Sequence, residues 1–254
     1  MRKLKAFGQH FLVDQQVLQT INSHIKISKE PLIEIGPGGG ALTDLLVQKK
    51  QHFQVIEADK RWCEFLKKRH PNILTVVHLD ALQFDWHTID PETIIVGNLP
   101  YQIASELMVR LAQSGAPFKY CLFMMQKEVA LRALAPIGAS AYGRLSVILR
   151  TQFDMEEVMH VPPDAFDPPP KVDSSVLMIT RKKEPLCSVS ELPAIEALTQ
   201  SLFSQRRKKC RKMLLQQFHQ AQIDRLSINL DARPQALSPE IYVELVRLSE
   251  ENNR

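Results

Sequence analysis

Glu34-Ile35-Gly36-Pro37-Gly38-Gly39-Gly40-Ala41 decides the fold of this 254-residue chain, because it joins two segments of different periodicity. Before it, Pro31 to Ile35 is a short apolar run of the kind that forms a buried strand; after it, Leu42-Thr43-Asp44-Leu45-Leu46-Val47 has helical spacing. Glycines at a strand-to-helix turn let the backbone bend tightly and approach a ligand, and the start of the helix leaves amide donors unpaired. Gly36, Gly38 and Ala41 also satisfy the G-x-G-x-x-A form of a dinucleotide loop, so the loop alone does not choose a cofactor.

Similar runs recur at Phe53 to Ala58, Leu74 to Leu79, Thr93 to Val96 and Tyr120 to Met125, with helix-like stretches between them. This alternation predicts an α/β fold with a mostly parallel sheet covered on both faces. Met155 to His160 and Ser174 to Thr180 bring the count to seven strands, the last two joined without a helix and therefore expected to be antiparallel. The strand pattern stops near Arg181-Lys182-Lys183-Glu184-Pro185, which predicts a first domain over 1–183 and a small all-helical domain over 184–254. In the latter, Cys210, Leu214 and Phe218 share a helical face, and Ile241, Leu245 and Leu248 follow a start signal at Ser238-Pro239-Glu240.

Composition narrows the class. At 44% hydrophobic residues the chain can bury a full core, and a net charge of +4, from 32 basic against 28 acidic residues, permits a polyanionic partner without demanding one. Cys63, Cys121, Cys187 and Cys210 are widely spaced, with no CxxC pair and no histidines at metal-ligand spacing, so neither a metal nor a disulfide is expected. No apolar run reaches the roughly 18 residues of a membrane span, and the basic start at Met1-Arg2-Lys3-Leu4-Lys5 lacks a following apolar stretch. The expectation is a cytoplasmic protein without a membrane partner.

The strand ends carry the chemistry. Glu57, about 20 residues beyond the first glycine, lies where a carboxylate accepts from a ribose diol, and Asp80 closes the next strand, where it could accept from an adenine amino group. The fourth predicted strand runs through Gly97 into Asn98-Leu99-Pro100-Tyr101. An N-x-P-Y turn at this place resembles the signature of methyltransferases acting on exocyclic amino groups. The adenine N6 lone pair is delocalised into the ring, so a site must align it and favour a tetrahedral nitrogen. Asn98, through its side-chain carbonyl, and Pro100, through its backbone carbonyl, suit the two N6 hydrogens, and Tyr101 suits stacking on the base. No ionisable base is required, since the proton leaves once methylation has made the nitrogen cationic.

With these motifs the chain resembles the bacterial ribosomal RNA adenine dimethylase family, of the KsgA type. The resemblance extends to Phe7-Gly8-Gln9-His10-Phe11-Leu12, Gln126-Lys127-Glu128-Val129, Val161-Pro162-Pro163-Asp164-Ala165-Phe166, Pro170-Lys171-Val172-Asp173-Ser174 and Phe203-Ser204-Gln205-Arg206-Arg207-Lys208. It implies a Rossmann-like class I methyltransferase fold that uses S-adenosylmethionine and releases S-adenosylhomocysteine. The implied reaction is dimethylation of N6 of two adjacent adenosines in the 3′-terminal hairpin loop of 16S rRNA. The implied partner is the immature 30S ribosomal subunit, with a role in subunit biogenesis, and the protein is expected to act as a monomer. By the same resemblance His10, Leu12, Gly36, Gly38, Glu57, Asp80 and Asn98 match cofactor-contacting positions, and Phe166 matches an aromatic that stacks on the base opposite Tyr101. Position 10 is commonly Asn in that family; here it is His.

Independently, Arg206-Arg207-Lys208-Lys209-Cys210-Arg211-Lys212 holds six basic residues in seven, with no acid from Ala197 to Ile223, which predicts phosphate contacts by Arg206, Arg207, Lys208, Lys209 and Arg211. Arg181, Lys182 and Lys183 are weaker candidates. Three rival readings are a large-subunit RNA dimethylase, an assembly factor whose binding matters more than its chemistry, and a nicotinamide dehydrogenase. The last leaves Asn98-Leu99-Pro100-Tyr101 without a purpose.

Overall fold

The structure, a computed structural model, describes residues 10–226 and 228–251. Phe7, Gly8 and Gln9 of the first family motif, and the basic start, lie outside the described residues. In chain order the strands are β1 (Phe11–Leu12), β2 (Leu32–Ile35), β3 (Phe53–Glu57), β4 (Leu74–His78), β5 (Ile94–Asn98), β6 (Tyr120–Gln126), β7 (Phe153–Val161), β8 (Phe166–Asp167) and β9 (Ser174–Arg181). The helices are α1 (Gln15–His24), α2 (Thr43–Lys49), α3 (Lys60–Arg69), α4 (Ala104–Ser114), α5 (Lys127–Leu134), α6 (Arg144–Gln152), α7 (Leu192–Ser204), α8 (Arg211–Leu215), α9 (Gln220–Arg225) and α10 (Pro239–Glu251). None of the described helices is long and apolar enough to cross a membrane.

The chain divides into two compact units. The first holds the described residues up to Ala130 together with Met155–Arg181; the second holds Leu131–Asp154 and the residues from Lys182 onward. The sequence pattern predicts a single break at 183/184. Residues 131–154 instead belong with the tail, because α6 buries Leu145, Ile148 and Leu149 and packs on α7 and α10.

In the first unit a seven-stranded sheet has the order β4-β3-β2-β5-β6-β9-β7. β2 to β6 are mutually parallel, and β9 runs antiparallel to β6, with Phe123 opposite Leu177. β2 is buried along its whole length, as expected of a strand covered on both faces. Leu18, Ile21, Leu32, Val55, Leu66, Ile94, Val96, Leu122 and Met124 form one cluster around it, each worth roughly 1.5–3 kcal/mol when fully buried.

The order of connection reverses at β2, whose neighbours are β3 on one side and β5 on the other. A crevice therefore opens beyond the C-terminal ends of β2 and β5, where the chain places the glycine loop and the Asn98 turn. Gly97 brings these ends together. It pairs with Ile35, and a Cβ there would lie 2.7 Å from the Ile35 carbonyl oxygen and 3.2 Å from Leu99 Cδ2.

The second unit is helical. α6, α7 and α10 pack on one another, and Tyr142 and Tyr242, both fully buried, donate to the carbonyls of Leu237 at 3.0 Å and Pro234 at 2.9 Å. Cys210, Leu214 and Phe218 are all buried, but α8 spans only Arg211–Leu215, so Cys210 and Phe218 flank the helix instead of sharing its face; α10 begins at Pro239 after Ser238. Because backbone obstructs a side chain at Gly97, Gly97→Ala is expected to cost about 1–3 kcal/mol of folding stability, read by denaturant unfolding. An alanine variant as stable as the parent would contradict the register of β2 and β5.

Candidate active site

A cavity of about 540 Å³ lies in the first unit at the reversal of strand order. Its lining includes His10, Leu12, Gly36, Gly38, Glu57, Asn98, Leu99, Pro100 and Tyr101, so one space gathers nine of the residues expected from sequence. Two do not join it. Asp80 ends the segment after β4, and its carboxylate accepts from Leu82 N at 2.9 Å, capping a short 3-10 turn instead of lining the cavity. Phe166, expected opposite Tyr101, is buried in the core cluster and pairs with Leu12 across β1 and β8. With its ring already covered, it offers no face to a base in this structure.

The glycine loop is shaped by Glu57. Its Oε2 accepts from Gly38 N at 3.0 Å and its Oε1 from Asp59 N at 2.8 Å. Gly38 has φ +52°, and a side chain there would meet the Phe11 ring at 2.9 Å, so both the turn and the close aromatic cover need glycine. Burial pushes the Glu57 carboxyl above its ordinary value, while the amide bonds oppose that shift. Each carboxylate oxygen has a second lone pair, so Glu57 can hold the loop and still accept from a ribose. These groups fit a nucleoside-bearing cofactor: a carboxylate of acceptor capacity, a side-chain-free loop and an apolar wall from Phe11, Leu12 and Trp62.

The turn after β5 sits directly beside this loop. A Cβ on Gly36 would lie 3.7 Å from both the Asn98 carbonyl oxygen and Pro100 Cδ. Asn98 Nδ2 donates to the His10 carbonyl at 3.2 Å; a carbonyl only accepts, so this contact fixes which end of the amide is oxygen. The Asn98 Oδ1 remains as an acceptor. Leu99 is buried and its amide donates to the Met124 carbonyl at 2.9 Å, tying the turn to β6. The Pro100 carbonyl accepts from Ile103 N at 3.0 Å and keeps one lone pair. Tyr101 shares a hydrogen bond with Ser174 Oγ at 3.1 Å, and burial raises the titration of its hydroxyl.

Sequence reasoning missed Ser174 as a partner of Tyr101 and gave Glu34 no role. Glu34 also lines the cavity, is 2% exposed, and accepts from Thr43 Oγ1 at 2.7 Å. Its position in a strand flanked by Ile33 and Ile35 was the available signal of burial.

The basic run lies in the second unit and is only partly free. It is a turn at 205–210 leading into α8, so Arg206 to Lys209 lie in the turn and Arg211 and Lys212 in the first turn of the helix. Arg206 donates to the carbonyls of Ser140 at 2.7 Å and Tyr142 at 3.2 Å. Lys209 and Arg211 reach Asp231 at 3.4 and 3.5 Å, an acid too distant in sequence for a local pattern to reveal. The side chains of Arg207, Lys208 and Lys212 are exposed and make no ion pair among the described residues. Arg181, in the first unit, donates to the carbonyls of Ala116 and Leu111 and lies over the Phe118 ring, which makes it an anchor for the end of α4.

The ribosomal RNA adenine dimethylase family matches residues 1–251. The chain belongs to this family. Among curated relatives, ribosomal RNA small subunit methyltransferase A of Nitrosomonas europaea is 37% identical over 244 residues, 96% of this chain and 95% of the relative. The protein of the same name from Herminiimonas arsenicoxydans is 40% identical over 250 residues, covering 95% and 96%. Among solved structures, a dimethyladenosine transferase from Plasmodium falciparum superposes with TM-score 0.78 at 28% identity, over 96% of this chain and 98% of that one. The 23S rRNA methyltransferase ErmE gives 0.70 at 26%, over 94% and 99%. This member of the ribosomal RNA adenine dimethylases therefore has a Rossmann-like class I methyltransferase fold and is an S-adenosylmethionine-dependent enzyme.

Glu34 yields a test of the site's electrostatics. Burial raises its carboxyl from 4.5 to about 8, so the folded enzyme keeps the proton over a range in which the unfolded chain releases it. Stability linked to Glu34 is full below about pH 4.5, falls as pH rises toward 8, and then levels off. Glu34→Gln keeps an acceptor for Thr43 and removes the proton. The variant is expected to gain stability over the parent by up to about 1.4 kcal/mol per pH unit across that window, read from chemical unfolding at several pH values. A difference independent of pH would contradict a protonated Glu34.

Proposed function

We propose that this enzyme dimethylates N6 of two adjacent adenosines in the 3′-terminal hairpin loop of 16S rRNA, acting on the assembling small ribosomal subunit. The observation that carries the reading is the convergence of the glycine loop and the Asn98-Leu99-Pro100-Tyr101 turn on one cavity, so close that a Cβ on Gly36 would touch Asn98 and Pro100. The names of the relatives from Nitrosomonas europaea and Herminiimonas arsenicoxydans favour the small subunit over the large. Leu99 and the Pro170-Lys171-Val172-Asp173-Ser174 segment favour it as well. A monomer acting in the cytoplasm accords with this reading.

The residues divide the work. Glu57 and the Gly36–Gly38 loop hold the nucleoside part of S-adenosylmethionine, with His10 and Leu12 closing the same cavity. The bound cofactor supplies an electrophilic methyl group on a sulfonium. Asn98 Oδ1 and the Pro100 carbonyl accept the two N6 hydrogens, which draws the nitrogen toward a tetrahedral shape and turns its lone pair out of the ring. Tyr101 stacks on a base taken out of its helix or loop. Once methylation has made the nitrogen cationic it is acidic enough to lose a proton to solvent, so no ionisable side chain is required to take it.

The first unit thus acts as the catalytic domain and the second as the contact with RNA. Arg207 and Lys208, exposed and without an ion pair among the described residues, are the phosphate contacts we assign, with Lys209 and Arg211 available if Asp231 releases them.

The decisive experiment follows labelled methyl groups from S-adenosylmethionine into undermethylated small subunits and identifies the nucleoside formed. N6,N6-dimethyladenosine is expected, and Asn98→Ala is expected to lower kcat about a hundredfold or more while the fold is kept. Full activity in that variant would overturn the mechanism. Arg207→Ala with Lys208→Ala is expected to weaken subunit binding and reduce the slope of log affinity against log salt by about 1–2. An unchanged slope would remove these residues from the interface.

A further inference from the structure

His10 touches the Asn98 turn in two ways and is anchored by a third contact. Its backbone carbonyl accepts from Asn98 Nδ2 at 3.2 Å. Its ring stacks on Tyr101, with centroids 5.6 Å apart and planes 26° apart. Its Nδ1 donates to the Pro168 carbonyl at 2.7 Å, since that oxygen can only accept. The resemblance of the sequence implied a cofactor contact here; the geometry adds something different.

Tyr101 is held at its far end by Ser174, but that bond cannot fix the plane of the ring. The phenol oxygen lies on the axis about which the ring turns, so a bond to it sets the direction of the axis and leaves rotation free. A group stacked on one face does resist rotation. Aromatic pairs of this kind stabilise one another modestly, and the preferred arrangement has a definite geometry. Among the described residues, the aromatic ring stacked on Tyr101 is that of His10.

We infer that His10 is a positioning residue: tethered to Pro168, its imidazole braces one face of Tyr101, so that the target adenine stacks on the other face. Its backbone carbonyl meanwhile orients the Asn98 amide toward the same base. The brace is a property of the side chain and the amide contact a property of the main chain, so substitutions separate them. This inference rests on the proposed function, because it concerns the seat of the target base.

The test compares the full-length enzyme with His10→Asn, which keeps a polar side chain and loses the ring, and His10→Phe, which keeps a ring and loses the Nδ1 tether. The chain has four tyrosines, so ring-labelled tyrosine gives few NMR signals, and Tyr101 is assigned by its loss in Tyr101→Phe. In His10→Asn the Tyr101 ring is expected to flip about tenfold faster, and kcat for methyl transfer to small subunits to fall about three- to tenfold. Cofactor affinity by titration and the KM for subunits are expected to stay within about twofold of the parent. His10→Phe is expected to restore slow flipping and most of kcat.

Unchanged ring motion and kcat in His10→Asn would overturn the inference. So would a lower KM for subunits, which would mean that His10 occupies the seat of the base instead of backing it. A loss of cofactor affinity that accounts for the whole loss of activity would overturn it as well. If the parent enzyme itself leaves small subunits unmethylated, the proposed function falls, and the ring-flip comparison alone decides the role of His10.

Discussion

The close approach of β5 to β2 at Gly97 is the constraint on which the site depends. A side chain at this position would press into the Ile35 carbonyl, so glycine lets the two strand ends run side by side into their loops. Glu57 holds the loop that leaves β2, and His10 and Met124 hold the turn that leaves β5. Both loops open where the order of strands reverses, and the chemistry expected of the enzyme needs them within a few ångströms of each other. The sheet thus supplies the alignment that a delocalised amino group requires.

Three of the site's polar side chains are buried or half-buried against partners, whereas the buried Trp62 indole Nε1 has none among the described residues. Glu57 binds two backbone amides, Glu34 takes the Thr43 hydroxyl, and Tyr101 is bonded to Ser174. Each bond offsets a desolvation cost and in return fixes an atom of the site. Burial favours the neutral form of all three, and it carries the Glu34 carboxyl to about 8, so Glu34 keeps its proton at neutral pH.

Much of this was legible in the sequence, and for identifiable reasons. The sheet strands declare themselves through runs such as Thr93 to Val96, because a parallel strand covered on both faces must be apolar along its length. The glycine loop and the Asn98 turn are legible because strand ends fix where loops emerge. Less visible was whatever depends on distant pairing. The short β1 and β8 carry too few residues for a period, yet their pairing buries Phe166. Asp231 neutralises part of the basic run from about 20 residues away, and α6 joins the tail through packing with α7 and α10, which no local pattern marks. Asp80 shows a related limit: a carboxylate after a strand can cap the next turn as readily as it can face a ligand.

The most direct measurement of the central claim is a crystal structure of the enzyme with S-adenosylhomocysteine and adenosine bound. The account predicts the adenosine N6 within hydrogen-bonding distance of both Asn98 Oδ1 and the Pro100 carbonyl oxygen, with the base against Tyr101 and the cofactor ribose on Glu57. Adenosine seated elsewhere in the cavity, or bound with N6 turned away from the Asn98 turn, would contradict it.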